Sequence, residues 1–212
     1  GNTINLWAEQ FTNRALLPGV LSWKIPVTWF QSFNPFMIFA FTPIVVGLWA
    51  WQAKRGREPR TVIKMAMGNF LLALSYLVMA AAAYLTGPSG QASWLWLFVF
   101  FTVITLGELY LSPIGLALVA RVSPPQILSA MMGLWFITSF TGNQLQGYIG
   151  SFFSRMDKVQ FFLLCAGLGL LAAVVTWAFD RPLRSILEGA AAKPEMVPEP
   201  QADRGAMRHP AQ

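Results

Sequence analysis

Apolar residues fill most of this chain in long blocks, broken by short polar or proline-rich stretches. The blocks cover residues 29–51, 62–85, 94–122, 126–153 and 159–179. A helix needs about 20 apolar residues to cross a hydrocarbon core of about 30 Å. The pattern therefore predicts an all-α, polytopic membrane protein with five complete transmembrane helices in residues 29–182. Residues 1–14 read as the end of a further, truncated transmembrane helix, and 15–28 as an extracytoplasmic connection. Residues 183–212, rich in Ala, Pro and Glu, read as a disordered tail.

Polarity is spread unevenly over the five blocks. The first holds Gln31, Ser32, Asn34 and Thr42, with Pro35 and Pro43 able to kink it. The third holds Thr105, Glu108, Ser112 and Gly115 at helical spacing on one stripe, and the fourth holds Thr138, Ser139, Gly142, Asn143 and Gln146. The fifth is almost wholly apolar, and the second carries Asn69, Ser75 and Tyr76. This distribution predicts that the first, third and fourth spans line a hydrated space while the second and fifth face lipid.

Of nine acidic residues, Glu108 is the one inside a long apolar run. Insertion scales put the cost of an ionisable group at that depth at roughly 2–4 kcal/mol, so it needs a partner. Two readings stay open: a fixed ion pair with a Lys or Arg of another helix, or a solute or proton site. Asn34 is likewise either an interhelical tether or a ligand group. Trp135 and Phe136 serve as packing aromatics or as a gate, and the glycines at 142, 147 and 150 are expected to permit close helix contact.

Composition narrows the class further. The chain is 55% hydrophobic and 11% charged, with a net charge of +6. That charge is no nucleic-acid footprint, because it lies in short loops and tails where it orients helices. Lys54, Arg55, Arg57, Arg60, Lys64, Arg121, Arg181 and Arg184 fall on one side, against Arg14, Lys24, Arg155 and Lys158 on the other. The richer side is expected to be cytoplasmic, which places the tail in the cytoplasm and the first connection outside. Cys165 is alone and His209 lies in the tail, so neither a disulfide framework nor a Cys/His metal site is expected. No phosphate loop, zinc motif or nucleophilic triad is visible, and an enzyme or cofactor role is not expected. The chain opens at Gly1 partway into helical sequence and is expected to be a piece of a longer protein.

Two motifs carry a resemblance. WFQSFNP with a later mid-helix proline (Trp29 to Pro35, then Pro43) and GELYLSPIGLALV (Gly107 to Val119) resemble the proton-dependent oligopeptide transporters of the major facilitator superfamily. MMGLWFITSFTGNQLQG (Met131 to Gly147) and GNTINLWAEQ support it. The resemblance implies the C-terminal half of a bacterial-type transporter: the last part of helix seven, then helices eight to twelve. It implies proton-coupled symport of di- and tripeptides, with the proton as coupling ion, the missing N-terminal half as partner and the plasma (inner) membrane as the expected setting. Asn34 would hydrogen-bond peptide backbone, Glu108 would meet the N-terminal amine with Ser112 beside it, and Trp135 and Phe136 would form pocket wall and gate. The acid of helix seven and the lysine facing Glu108 would lie outside this chain. The alternatives are a facilitator of another small solute, or a membrane scaffold in which Glu108 and Asn34 are tightly packed with no pocket between them.

Overall fold

Helices form where the backbone can satisfy its own hydrogen bonds without water. In chain order they are α1 (Asn2–Gln10), α2 (Val27–Lys54), α3 (Thr61–Thr86), α4 (Trp94–Val122), α5 (Leu128–Ser151) and α6 (Lys158–Ala178). The structure is a computed structural model that describes residues 2–13, 15–17, 21–24, 26–87 and 90–181. The expected tail at 183–212, part of the 15–28 connection and the side chain of Gln31 lie outside the described residues. Gly1–Asp180 forms one compact unit.

Local chemistry sets several helix ends. The Ser93 hydroxyl accepts from the Leu95 N–H at 3.4 Å to cap α4. The Asp157 carboxylate accepts from the N–H groups of Val159 (2.9 Å) and Gln160 (3.4 Å) to cap α6. Gly87 closes α3 at φ 68°, a left-handed conformation that a side chain would resist.

The fold is largely helical as expected, and three details differ. The chain is not purely helical: β1 (Thr12–Asn13) pairs in parallel with β4 (Ala92–Ser93), and β2 (Ala15–Leu17) pairs antiparallel with β3 (Leu21–Lys24). The partial first helix thus stops at Gln10, and the connection contains a hairpin, because backbone groups leaving the bundle satisfy one another. Second, among the described residues four helices, where five are expected, are long and apolar enough to cross a membrane: Ser32–Lys54, Thr61–Thr86, Trp94–Val122 and Lys158–Ala178. α5 forms over 24 residues, but Thr138, Ser139, Thr141, Asn143, Gln144 and Gln146 dilute its apolar character.

Third, α3 is not simply a lipid-facing helix. It packs between α4 and α6 and buries Val62, Lys64, Ala66, Gly68, Ala73, Ser75 and Met79. Small residues make this possible. A methyl on Gly68 would lie 2.9 Å from the Gly107 carbonyl oxygen, and one on Gly169 would lie 3.1 Å from Ala73. By contrast, Gly142 and Gly147 have open space around them; Gly150 approaches Thr3 of α1. The opposite face of α3 exposes Met67, Phe70, Leu74 and Leu77, as lipid contact requires.

Two apolar clusters hold the unit together. One joins α1, α3, α4 and α6 through Trp7, Met79, Leu97, Phe100, Phe153 and Phe162, with Trp7 stacked on Phe11 at 5.0 Å. The other joins α2 to α4 through Val45, Leu109, Tyr110 and Ile114, with Trp49 edge-on to Tyr110 at 5.3 Å. At one end of the bundle, Lys64 pairs with Glu58 and lies 4.6 Å from the Trp49 ring centre, while Arg60 pairs with Asp180 at 3.3 Å.

Candidate functional site

Pro35 and Pro43 sit inside α2 and Pro113 inside α4, so each helix lacks backbone donors beside the polar stripe. α2 and α4 pack together through the Val45 cluster and through polar contacts nearer Asn34. There Asn34 of α2 donates from Nδ2 to Glu108 Oε2 of α4 at 3.0 Å. Thr105, one turn before Glu108, donates from Oγ1 to Asn34 Oδ1 at 2.8 Å. Thr105 is fully buried at 0% exposure, whereas Asn34 and Glu108 are half-buried. The three side chains thus form one directional chain: hydroxyl to amide to carboxylate.

Among the described residues, the ion pairs are Arg60–Asp180 and Lys64–Glu58, and Glu108 is in neither. Its carboxylate is held by an amide rather than neutralised by a cation. One oxygen is taken by Asn34, and Oε1 keeps its capacity to accept. Asn34 thus tethers α2 to α4 through the acid itself.

The remaining predicted site residues fall into two groups. Ser112 is exposed one turn beyond Glu108 on the same stripe. Trp135 of α5 lays its indole over Gly115, where a methyl would collide with the ring, so it reaches the far end of the Glu108 stripe. Phe136 is 65% exposed, on the surface of α5, and no contact among the described residues ties it to this group. α5 buries no residue at all. Its Thr138, Ser139 and Thr141 hydroxyls turn back to the helix's own carbonyls at 2.7–3.2 Å.

A cavity of about 530 Å³ lies elsewhere, between α1, α3, α5 and α6. Asn69, Tyr76, Gln146 and Cys165 line it, and neither Asn34 nor Glu108 does. Sequence reading noted Asn69, Tyr76 and Gln146 as polar but could not group them. Residues 69 and 146 meet only because α5 and α3 flank one groove. Among the described residues, no group of three His, Cys, Asp or Glu side chains is placed to hold a metal.

Comparison with known proteins fits this geometry. The chain is 31% identical over 184 residues to the di-/tripeptide transporter of Lactococcus lactis subsp. cremoris, which covers 87% of this chain and 37% of that protein. It is 34% identical over 190 residues to the peptide transporter YePEPT of Yersinia enterocolitica, covering 87% of this chain and 36% of that one. The chain therefore spans just over a third of the length of these relatives. The crystal structure of a peptide transporter POT in complex with sulfate superposes with a TM-score of 0.76 at 25% identity, over 86% of this chain and 36% of that chain. The model of the POT family, PTR2, matches residues 1–171, and the chain belongs to that family of multi-pass membrane proteins.

Proposed function

We propose that this chain is the C-terminal part of a proton-coupled symporter of di- and tripeptides, with a bacterial inner membrane as its setting and its C-terminus in the cytoplasm. The observation that carries the proposal is the Asn34–Glu108 pair: a carboxylate at membrane depth, held by an amide at 3.0 Å and without a cation among the described residues. An acid so placed is stabilised by a cation that arrives and leaves. A peptide supplies one in its N-terminal ammonium, and a backbone carbonyl next to it for the Asn34 amide. Reading backbone groups alone leaves side-chain identity free, which suits a broad peptide carrier. The relatives named for di- and tripeptide transport support the same substrate class.

Glu108 binds the amine, Asn34 the first carbonyl, and Ser112 adds a hydroxyl on the same stripe. Trp135 supplies an apolar wall and Phe136 a gate at the exposed face of α5. The proton is the coupling ion, and no other cofactor takes part. The exposed polar residues of α5 and the Glu108–Ser112 stripe would meet the N-terminal half of the transporter, which completes the cavity. Uptake of a labelled dipeptide into proteoliposomes, with and without an inward proton gradient, tests this in the complete transporter. Gradient-driven uptake in the wild type, lost in Glu108→Ala at equal membrane expression, is the expected result. Undiminished uptake by Glu108→Ala would remove the role assigned to the acid.

A further inference from the structure

We infer that Thr105 is a positioning residue that determines how Asn34 meets its ligand, as a donor rather than an acceptor. The inference rests on the transport reading above and adds to it a residue that touches no substrate.

The starting point is where hydroxyls in this bundle go. Thr42, Thr141 and Thr176 each donate to the carbonyl four residues earlier in their own helix. That is the default for threonine in an apolar helix, because it satisfies the hydroxyl locally. Thr105 departs from it. Its side chain is fully buried, and its hydroxyl crosses from α4 to α2 and donates to Asn34 Oδ1 at 2.8 Å.

An amide has two faces, one that accepts and one that donates. With Oδ1 held by Thr105, the NH₂ group faces Glu108, where one hydrogen is used at 3.0 Å. The second hydrogen remains for a ligand. While Glu108 is ionised and empty, the carboxylate alone favours this orientation, since it can only accept. Once a ligand ammonium engages the carboxylate, that preference weakens, and Thr105 is what keeps the amide from turning over. A ligand that fits then needs a cation with a hydrogen-bond acceptor beside it. A group that donates next to the cation would be rejected, because it would meet another donor.

Two measurements on the full-length protein test this. The first needs no substrate. The infrared carboxylate band of Glu108 is identified as the one lost in Glu108→Gln, and it is followed in Thr105→Val and Thr105→Ser. The expected result is a shifted band in Thr105→Val, which keeps the shape but loses the hydroxyl, and a wild-type band in Thr105→Ser. An unmoved band in Thr105→Val overturns the inference whatever the transport result.

The second compares uptake of a dipeptide with its thioamide analogue, whose sulfur is a weaker acceptor than the carbonyl oxygen. Thr105→Val should raise KM for the dipeptide by about tenfold, the size of one hydrogen bond to a charged network. Vmax should stay near wild type, and the preference for the oxygen peptide should fall. Thr105→Ser should restore both. A Thr105→Val protein with wild-type KM and preference overturns the inference, as does a serine variant that behaves like valine. Absence of dipeptide uptake in the wild type would instead strike the transport reading, leaving the infrared result to decide the role of Thr105.

Discussion

Gly68 of α3 and Gly107 of α4 lie so close that a methyl on either would fall 2.9 Å from the carbonyl oxygen of the other. Neither backbone can yield without opening the α3–α4 interface. Gly107→Ala should therefore destabilise the bundle by about 1–3 kcal/mol, the usual cost of overpacking. Gly47, which has nothing within 4 Å, provides the control. Gly47→Ala should be neutral or stabilising by up to about 1 kcal/mol through helix propensity alone. Unfolding midpoints in detergent would separate the two, and equal midpoints would disprove the packing account.

Trp135 rests on Gly115 in the same manner, but here a side chain must give way rather than a backbone. Gly115→Ala should displace the indole while leaving the unfolding midpoint within a few degrees. A fluorine label on Trp135 should change its chemical shift. If Trp135 forms the pocket wall, peptide KM should rise with it.

Asn34 and Glu108 can be separated by their different losses. Glu108→Gln keeps an acceptor for the Asn34 amide and removes only the charge, so stability should change by less than about 1 kcal/mol. Asn34→Leu strips a half-buried carboxylate of its donor and should cost about 1.5–3 kcal/mol. Denaturant unfolding would show the order, and a reversed order would mean that the pair is not what supports the acid.

Two contacts join α3 to the α6 end of the bundle by different physics. Arg60–Asp180 spans 3.3 Å, with the arginine side chain half exposed. A double-mutant cycle should give it less than about 1 kcal/mol, falling further in high salt. Asn69 donates to the Thr176 hydroxyl at 3.0 Å inside the apolar part. Its coupling should be about 0.6 kcal/mol and insensitive to salt.

Much of this was readable in advance, for a reason particular to membranes. A backbone that cannot bond to water must bond to itself, so apolar runs become helices and polar breaks become their ends. The predicted third span and α4 share both limits, residues 94 and 122. Glu108 announced itself in the same way, as an acid with no local reason to be there.

Neighbourhood was not readable. The glycines at 142 and 147 looked like contact points and face open space, while nothing in the sequence marks Gly68 or Gly107 as contacts, and they form a close approach between α3 and α4. A glycine permits close contact without saying whether a partner comes, so only the packed bundle distinguishes the two pairs. Asn34 and Glu108 are 74 positions apart, and no periodicity within either helix links them. Sequence alone determined which segments are helices and which residue types they bring to membrane depth. Tertiary structure decided that α3 packs between its neighbours, and that a threonine, an asparagine and a glutamate share one line of hydrogen bonds. Local backbone bonding is a property of adjacent residues, whereas side-chain partners are chosen by helices meeting in space.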